Sequence, residues 1–389
     1  MAQEKKKKLC VVVASRANYG RIKTVLQAAQ AHPDIELQVI AGASTMLERY
    51  GRAVDILRKD GFEPDAMIYY VIEGENLATQ AKTTGLGIIE LTTAYEHLKP
   101  DFVLTVADRY ETMANAIAAT YCNIPLIHVQ GGEVSGNIDD RVRHAITKLA
   151  DLHFPCTEQS RQRLIKMGEA EKVTFNFGCP AIDIALQADK KIDNEIMKNY
   201  AGTGEDIDWT KPYILVSQHP VTTSFGDGYQ QITETLFALK EFPEYQKIVL
   251  WPNIDAGSDH VAKGIRQFRE KGQDKGSKFH YYRNFTPEDY VRVLANAICL
   301  VGNSSSFIRE GAALGLPAVL VGDRQIGREH GKNVMHSSYD RKDISGAIKK
   351  QLDHGRYEAD DIFGNGTAGK RIVDCIASIE LPELKRITY

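Results

Sequence analysis

A chain of 389 residues is long enough for two domains, each with a buried core of its own. Hydrophobic residues at 43% and charged residues at 25% match an ordinary globular protein, and a net charge of −3 gives no reason to expect a nucleic acid or an anionic membrane as partner. No apolar run approaches the roughly 20 residues of a membrane helix, which argues against a membrane-spanning chain.

The N-terminal basic run Lys5 to Lys8 reads as a solvated tip. The apolar stretch after it, "LCVVVA", is too short for a signal-peptide core and has no cleavage pattern. It reads instead as a first buried strand. "SRANYGRIK" leaves that strand and enters the helix "RIKTVLQAAQ". The junction lacks GxGxxG, so the dinucleotide fingerprint is absent. Free N–H groups at such a turn still suit an anion, and Arg16 is placed to reach a phosphate. The competing reading makes Asn18 a helix N-cap and Arg16 a solvated charge. "LQVIAG" and "DFVLTVA" are the next strands, and "ETMANAIAATY" is the helix after the second of them. Asp108, Arg109 and Glu111 stand between. Asp108 and Glu111 can serve as helix caps, but the position just after a strand favours a site role for Asp108.

"PLIHVQGG" is another strand, and it opens the loop "VQGGEVSGNIDDRVRHAITK". That loop crowds Glu133, Asp139 and Asp140 against Arg141, Arg143 and His144, around the pair Gly131-Gly132. A metal site built from His128, Glu133, Asp139, Asp140 and His144 is the rival reading. The spacing matches no familiar zinc pattern, and the arginines would compete with a cation, so no metal is expected. "KVTFNFG" reads as the last strand of this first array, and "GCPAID" turns the chain. The polar stretch "DKKIDNEIMKNYAGTGEDIDWTK" reads as a helix plus a connector.

A second array runs from "YILVSQ" to about Asp340. Its strands are "YILVSQ", "KIVLWPN", "ICLVGN" and "AVLVG"; its helices are "QITETLFALKEF", "EDYVRVLANA" and "FIREGAALG". His219 follows the first strand, where Pro220 and polar neighbours argue against a core role. "WPNIDAGS" offers Asn253 and Asp255, although an Asx-turn accounts for them equally well. "GNSSSFIREGA" is the strongest local signal. Three serines at a helix start expose hydroxyls and N–H groups, which suits a diphosphate, and Glu310 suits a ribose diol. Arg324 and Arg328 follow the next strand, as phosphate or carboxylate partners do. There is no Walker lysine motif. The six cysteines form no CxxC pair and mostly sit in apolar runs, which implies a reduced, cytoplasmic protein without a disulfide frame or structural zinc.

Near-continuous apolar strands separated by helices imply an α/β fold of two doubly wound Rossmann-like domains facing a cleft, with functional residues just after the strands. The expected limits are residues 8–184 for an N-terminal domain on the sugar side, 185–368 for a C-terminal nucleotide domain, and 369–389 for a closing segment.

The motifs "ASRANY", "ADRYE", "HVQGGEVSGNIDDRVRHAITKLA", "GCPAID", "QHPVTT", "PNIDAGS", "GNSSSFIREGAALGLP" and "RQIGRE" together closely resemble the hydrolysing UDP-N-acetylglucosamine 2-epimerases, in the same order, over about residues 8 to 375. Members of that family make N-acetylmannosamine for sialic acid synthesis. The resemblance implies a glycosyltransferase-B type fold, with "AGKRIVDCIASIEL" as a helix returning to the first domain. It implies a UDP-sugar as ligand and no cofactor. It places Ser304 and Ser305 at the diphosphate, Glu310 at the ribose, and Arg16, Asn253 and Arg324 around the nucleotide. Asp108, Glu133, Asp139 and His219 fall in the catalytic set; Arg109, Gln130, Arg143 and Arg283 complete the substrate-binding set. A homo-oligomer, dimer or tetramer, is expected on the same ground. The chain departs from the family pattern at Gln130, where many relatives carry a functional glutamate and others histidine. Glutamine exchanges no proton, so Glu133 or Asp139 takes that work or the substrate differs. Alternatives within the family are a hydrolysing enzyme for UDP-2,4-diacetamido-2,4,6-trideoxyglucose, on the legionaminic acid route, and a non-hydrolysing epimerase. A retaining glycosyltransferase shares the fold, and a catalytically dead nucleotide-sugar sensor is the reading from another class.

Overall fold

The computed structural model describes residues 5–388 apart from 75, 137, 222, 223, 225, 253, 254 and 382–384. The chain divides into two compact units. One is Met1–Val134 with Ile138–Ile184 and Phe363–Tyr389; the other is Ser135–Asn137 with Ala185–Ile362.

Among the described residues the first unit holds a six-stranded sheet of β1 (Lys7–Val13), β2 (Ile35–Gly42), β3 (Ala66–Ile68), β4 (Phe102–Val106), β5 (Leu126–Val129) and β6 (Leu152–Phe154). The order is β3-β2-β1-β4-β5-β6, and every pairing is parallel. Every residue from Leu9 to Val13 is buried, as a strand covered on both faces requires. The helix Arg16–Ala31 buries Tyr19, Ile22, Val25, Leu26 and Ala29 in the same core as Leu9, Val11 and Val13. Their helical spacing gives one continuous apolar face. The strand order reverses between β1 and β4. Open α/β sheets bind ligands at such a switch point, outside the strand C-termini.

The second unit repeats the plan with β7 (Gly202–Gly204), β8 (Tyr213–Ser217), β9 (Gln246–Leu250), β10 (Phe279–Tyr282), β11 (Cys299–Gly302), β12 (Ala318–Val321) and β13 (Val334–Ser337). Among the described residues these form one sheet in the order β13-β12-β11-β8-β9-β10-β7. Only β7, at the edge, pairs antiparallel. The switch point lies between β8 and β11. There Gly302 has a φ of +138°, and a Cβ on it would stand 2.1 Å from the Ser217 carbonyl oxygen. Only glycine lets the two strand ends approach so closely. Both units are therefore doubly wound α/β domains, as the alternating pattern predicts.

Three expectations need correction. "KVTFNFG" is not a strand: Glu171–Val173 is a 3-10 turn, and only Thr174 bridges to His153 of β6. Phe177 instead stacks on Phe154, and Phe175 stacks on Phe177. "FIREGAALG" is not one helix either. A 3-10 turn, Ser305–Phe307, precedes a five-residue helix, Arg309–Ala313. The polar stretch 189–211 contains a single helical turn, Asn194–Met197, and then the edge strand β7.

The helix Ala368–Ser378 belongs to the first unit. Ile372, Val373 and Ile376 are fully buried in the core with Leu9 and Val11, each contributing roughly 1.5–3 kcal/mol of transfer free energy. Its start is held by Asp183 of the "GCPAID" segment. Asp183 Oδ1 accepts from Ala368 N at 3.0 Å. Oδ2 accepts from Gly369 N at 2.7 Å and from Thr24 Oγ1 at 2.9 Å. Two otherwise unmet helix N–H groups thus find a carboxylate at the positive end of the helix. Asp183→Ala is expected to weaken the first unit by about 1.5–3 kcal/mol. A thermal unfolding midpoint equal to wild type in scanning calorimetry would count against this role.

Candidate active site

The first unit places its candidate residues after β1, β4 and β5. Arg16 is the first residue of its helix, and the N-cap is Ser15, whose side chain accepts from Asn18 N at 3.2 Å. Asn18 is therefore not the cap. After β4, Arg109 is the N-cap of the helix Tyr110–Tyr121 and makes no side-chain capping hydrogen bond. Neither neighbouring carboxylate serves as the cap. Glu111 is buried and pairs with Arg109, with Nε 3.1 Å from Oε2. Asp108 pairs with Arg143.

The stretch after β5 is only partly a loop. Ile138–Leu149 is α-helical, so Asp139 and Asp140 stand in its first turn, where acidic side chains suit the dipole, and Arg143 and His144 in the next. Arg143 is buried. Its Nη2 donates to Asp108, while Nη1 donates to Asp140 Oδ1 at 2.6 Å and to the Glu133 carbonyl at 2.8 Å. Burial alone would lower the guanidinium pKa, but the Asp108, Glu133 and Asp140 carboxylates outweigh it and raise it. The cation is thus fixed, and it draws three elements of the first unit together: the end of β4, the loop after β5, and the helix Ile138–Leu149. Glu133 is itself buried beside it.

His128, on β5, is fully buried. Its Nε2 lies 2.9 Å from the Ala107 carbonyl and its Nδ1 lies 3.2 Å from Thr147 Oγ1. A carbonyl only accepts, so Nε2 carries the proton and Nδ1 accepts from the hydroxyl. Burial lowers this histidine to about 3, so the ring is neutral. Gln130 is buried with a φ of +69°. Its amide nitrogen donates to Cys179 Sγ at 3.2 Å, and its backbone N donates to the Phe154 carbonyl at 3.0 Å. Its amide oxygen has no partner among the described residues.

In the second unit the switch point is tied by Asn303. Its Oδ1 accepts from His219 N at 2.7 Å and its Nδ2 donates to the His219 carbonyl at 2.9 Å. His219 is half-buried, and its ring Nε2 lies 3.4 Å from Ser217 Oγ. The Asn303 carbonyl accepts from Gln325 Nε2 at 2.8 Å and Arg324 Nη1 at 3.3 Å, and Arg324 also pairs with Asp255 at 3.3 Å. Ser304 caps the 3-10 turn, with Ser305 inside it. Glu310 lies in the first turn of the short helix. Arg283 is exposed just after β10. Asn253 lies outside the described residues.

The first-unit geometry gathers Asp108, Glu133 and Arg143, and the second gathers His219, Ser304 and Arg324 around Asn303. Sequence reasoning missed Asn303 and Gln325 as site-builders. The signal was present in "GNSSS": an asparagine beside a positive-φ glycine at a strand end has backbone groups to satisfy. Among the described residues, no group of three or more His, Cys, Asp or Glu side chains lies close enough to hold a metal ion. No helix of the described residues is long and apolar enough to cross a membrane.

Comparison with known proteins bears on these two clusters. Residues 27–377 match the sequence model of a family described as UDP-N-acetylglucosamine 2-epimerase. The chain is 32% identical over 378 residues to a Legionella pneumophila protein described as UDP-N,N'-diacetylbacillosamine 2-epimerase (hydrolyzing), covering 96% of this chain and 97% of that one. It is 29% identical over 377 residues to a UDP-N-acetylglucosamine 2-epimerase of Neisseria meningitidis, covering 96% of each. The crystal structure of the Neisseria meningitidis UDP-GlcNAc 2-epimerase bound to UDP-GlcNAc aligns with a TM-score of 0.76 at 19% identity, covering 95% of this chain and 99% of that one. That likeness carries the glycosyltransferase-B type fold.

The neutral His128 predicts a pH dependence. Its folded pKa of about 3 lies below the unfolded value of roughly 6.5, so its contribution is present above 6.5 and is lost as the pH falls toward 3. Between about pH 6.5 and 4.5 the wild-type unfolding midpoint should fall, and that of His128→Gln should fall less. Parallel slopes for the two proteins in a calorimetric pH series would refute this.

Proposed function

Because the chain belongs to the UDP-N-acetylglucosamine 2-epimerase family, we propose that it is a hydrolysing member, converting UDP-N-acetylglucosamine and water to N-acetylmannosamine and UDP. A carboxylate removes the proton on C2 of the sugar. The electron pair forms a C1=C2 double bond as the C1–O bond to UDP breaks, and UDP leaves with the bonding pair on its phosphate. Water then adds its oxygen to C1, and a proton returns to C2 on the other face.

The observation that carries this reading is the carboxylate cluster set by Arg143. The C2 proton is weakly acidic, so the base must be held close and partly desolvated. Glu133 is buried next to a guanidinium that also engages Asp108 and Asp140. Carboxylates crowded in this way take different pKa values, which lets one act as base and another as acid. We assign the acid–base steps to Glu133 and Asp139, with Asp108 and His219 completing the catalytic set. Ser304, Ser305, Glu310, Arg324 and Arg283 are assigned to UDP, with Arg16, Arg109 and Gln130 as further substrate contacts. Hydroxyls and arginines stabilise the charge that develops on the leaving diphosphate. The description of the Legionella relative as hydrolyzing supports the hydrolytic outcome.

The same relative favours a second reading, in which the sugar is N,N'-diacetylbacillosamine, the 2,4-diacetamido-2,4,6-trideoxy sugar. Proton NMR in D2O with each UDP-sugar separates the two. The first reading expects free N-acetylmannosamine with deuterium at C2; release of UDP from the diacetamido substrate alone would replace it with the second. Glu133→Gln and Asp139→Asn should each lower turnover by about 10²–10⁴-fold while UDP binding survives. Turnover within a factor of two of wild type in both variants would remove the assignment.

A homo-oligomer belongs to the same proposal. It is supported by the apolar side chains Leu77, Leu86 and Ile89, which the helix Leu77–Leu98 leaves exposed, and by Tyr121, which is 89% exposed. Multi-angle light scattering at micromolar concentration should give at least twice the mass of one chain; a single-chain mass would contradict it.

A further inference from the structure

Three hydroxyls in the second unit form a chain, of which only Ser304 has a role above. Tyr290, on the helix Pro287–Asn296, places its Oη 2.5 Å from Ser306 Oγ. Ser306 Oγ lies 2.9 Å from Ser304 Oγ. Ser304 Oγ also accepts from Ser306 N, at 3.4 Å, as the cap of the 3-10 turn. Buried Phe307 and Arg309 anchor the segment just beyond it.

We propose that Tyr290 and Ser306 are positioning residues that fix the direction in which Ser304 donates its hydroxyl hydrogen to a bound diphosphate. This rests on the nucleotide reading above. A phenol is the most acidic of the three hydroxyls, so it heads the chain as donor. Ser306 Oγ accepts from Tyr290 and passes its own hydrogen to Ser304 Oγ. The Ser304 oxygen then accepts twice, from the Ser306 hydroxyl and the Ser306 N–H, and its own hydrogen must point elsewhere. Aimed at an anion, that hydrogen attracts; with the chain reversed, Ser304 would present a lone pair to a phosphate oxygen and repel it. Hydroxyls linked in series also polarise one another, so the terminal donor is stronger than an isolated serine. No proton is transferred; the chain is a fixed dipole relay.

The test is calorimetric binding to the full-length protein, with UDP and with uridine, which lacks the diphosphate. Tyr290→Phe should weaken UDP about 10–100-fold, the worth of an oriented hydrogen bond to a charged group, and leave uridine unchanged. Ser306→Ala should do the same, and Ser306→Thr should bind as wild type. The double variant Tyr290→Phe with Ser306→Ala should be no weaker than Ser306→Ala alone, because both break one chain. Unchanged UDP affinity in Tyr290→Phe overturns the proposal while leaving the nucleotide reading intact. Equal losses for UDP and uridine, or additive losses in the double variant, also overturn it, since either marks a general structural effect. A wild-type protein that binds no UDP overturns the nucleotide reading and this assignment with it.

Discussion

The residue cluster of the first unit depends on the Arg143 guanidinium. A buried cation is tolerated only when it is paired and its N–H groups are satisfied, and removing one partner of such a pair costs about 3–5 kcal/mol. At Nη1 and Nη2 Arg143 meets that demand, with carboxylates from two elements and a carbonyl from a third. The demand works in both directions. Asp108 at the end of β4, and Asp140 on the helix, stand near one another only because a positive charge lies between them. Without it, like charges would push the strand end and the helix apart. One residue therefore fixes the backbone course of the loop and the electrostatic setting of Glu133 inside it.

The second unit meets the same need with neutral groups. At its switch point the ends of β8 and β11 approach at Gly302, and the Asn303 amide satisfies both backbone groups of His219. Its own carbonyl is met by Gln325 and Arg324. An amide supplies a donor and an acceptor without charge, so this joint is rigid and electrostatically quiet. On the proposed reading this suits a unit that must receive a multiply charged diphosphate: the amide adds no charge of its own, and Asp255, the carboxylate beside the joint, is paired with Arg324. On the same reading the first unit is the opposite case, where carboxylates are the reagents and the scaffold must supply the counter-charge.

The long apolar strands were legible because a parallel sheet covered on both faces leaves an unbroken run of buried residues, as in "LCVVVA" and "YILVSQ". Several short strands were not. β3, β6, β7, β10 and β13 have three or four residues each and fall outside the apolar runs that revealed the equally short β5, β11 and β12, and β7 is Gly-Thr-Gly with no apolar signal at all. "KVTFNFG" misled for a related reason. Its aromatic residues are partly buried by packing against Phe154, which gives strand-like composition without a continuous ladder. At the candidate sites, Asp108, Glu133, His219 and Ser304 lie just after strands, where the sequence reading expected functional residues, while Arg143 stands inside the helix Ile138–Leu149. Their partners were hidden, because a pair such as Asp108 with Arg143, 35 positions apart, is set by the pairing of β4 with β5 and leaves no local pattern. The helical start at Ile138 was obscured by the glycines and charges around it.

Gln130 shows how charge is distributed around the end of β5. The position is buried, its backbone is held at a positive φ, and its side chain meets the Cys179 sulfur. A glutamate here would be desolvated beside a weak donor, which raises a carboxylate pKa. The chain keeps an amide instead, and His128, two residues earlier on the same strand, is held neutral by burial. The strand end therefore carries no ionised side chain, and the charge begins at Glu133, where Arg143 compensates it. A neutral strand end adds no charge to oppose the Arg143 field, which acts on Asp108, Asp140 and Glu133 and also helps keep His128 neutral. On the proposed reading, the departure from the family pattern at Gln130 does not silence the site. It moves proton exchange away from the strand and onto the loop and first helical turn, where Glu133 and Asp139 stand and where the counter-charge is already in place.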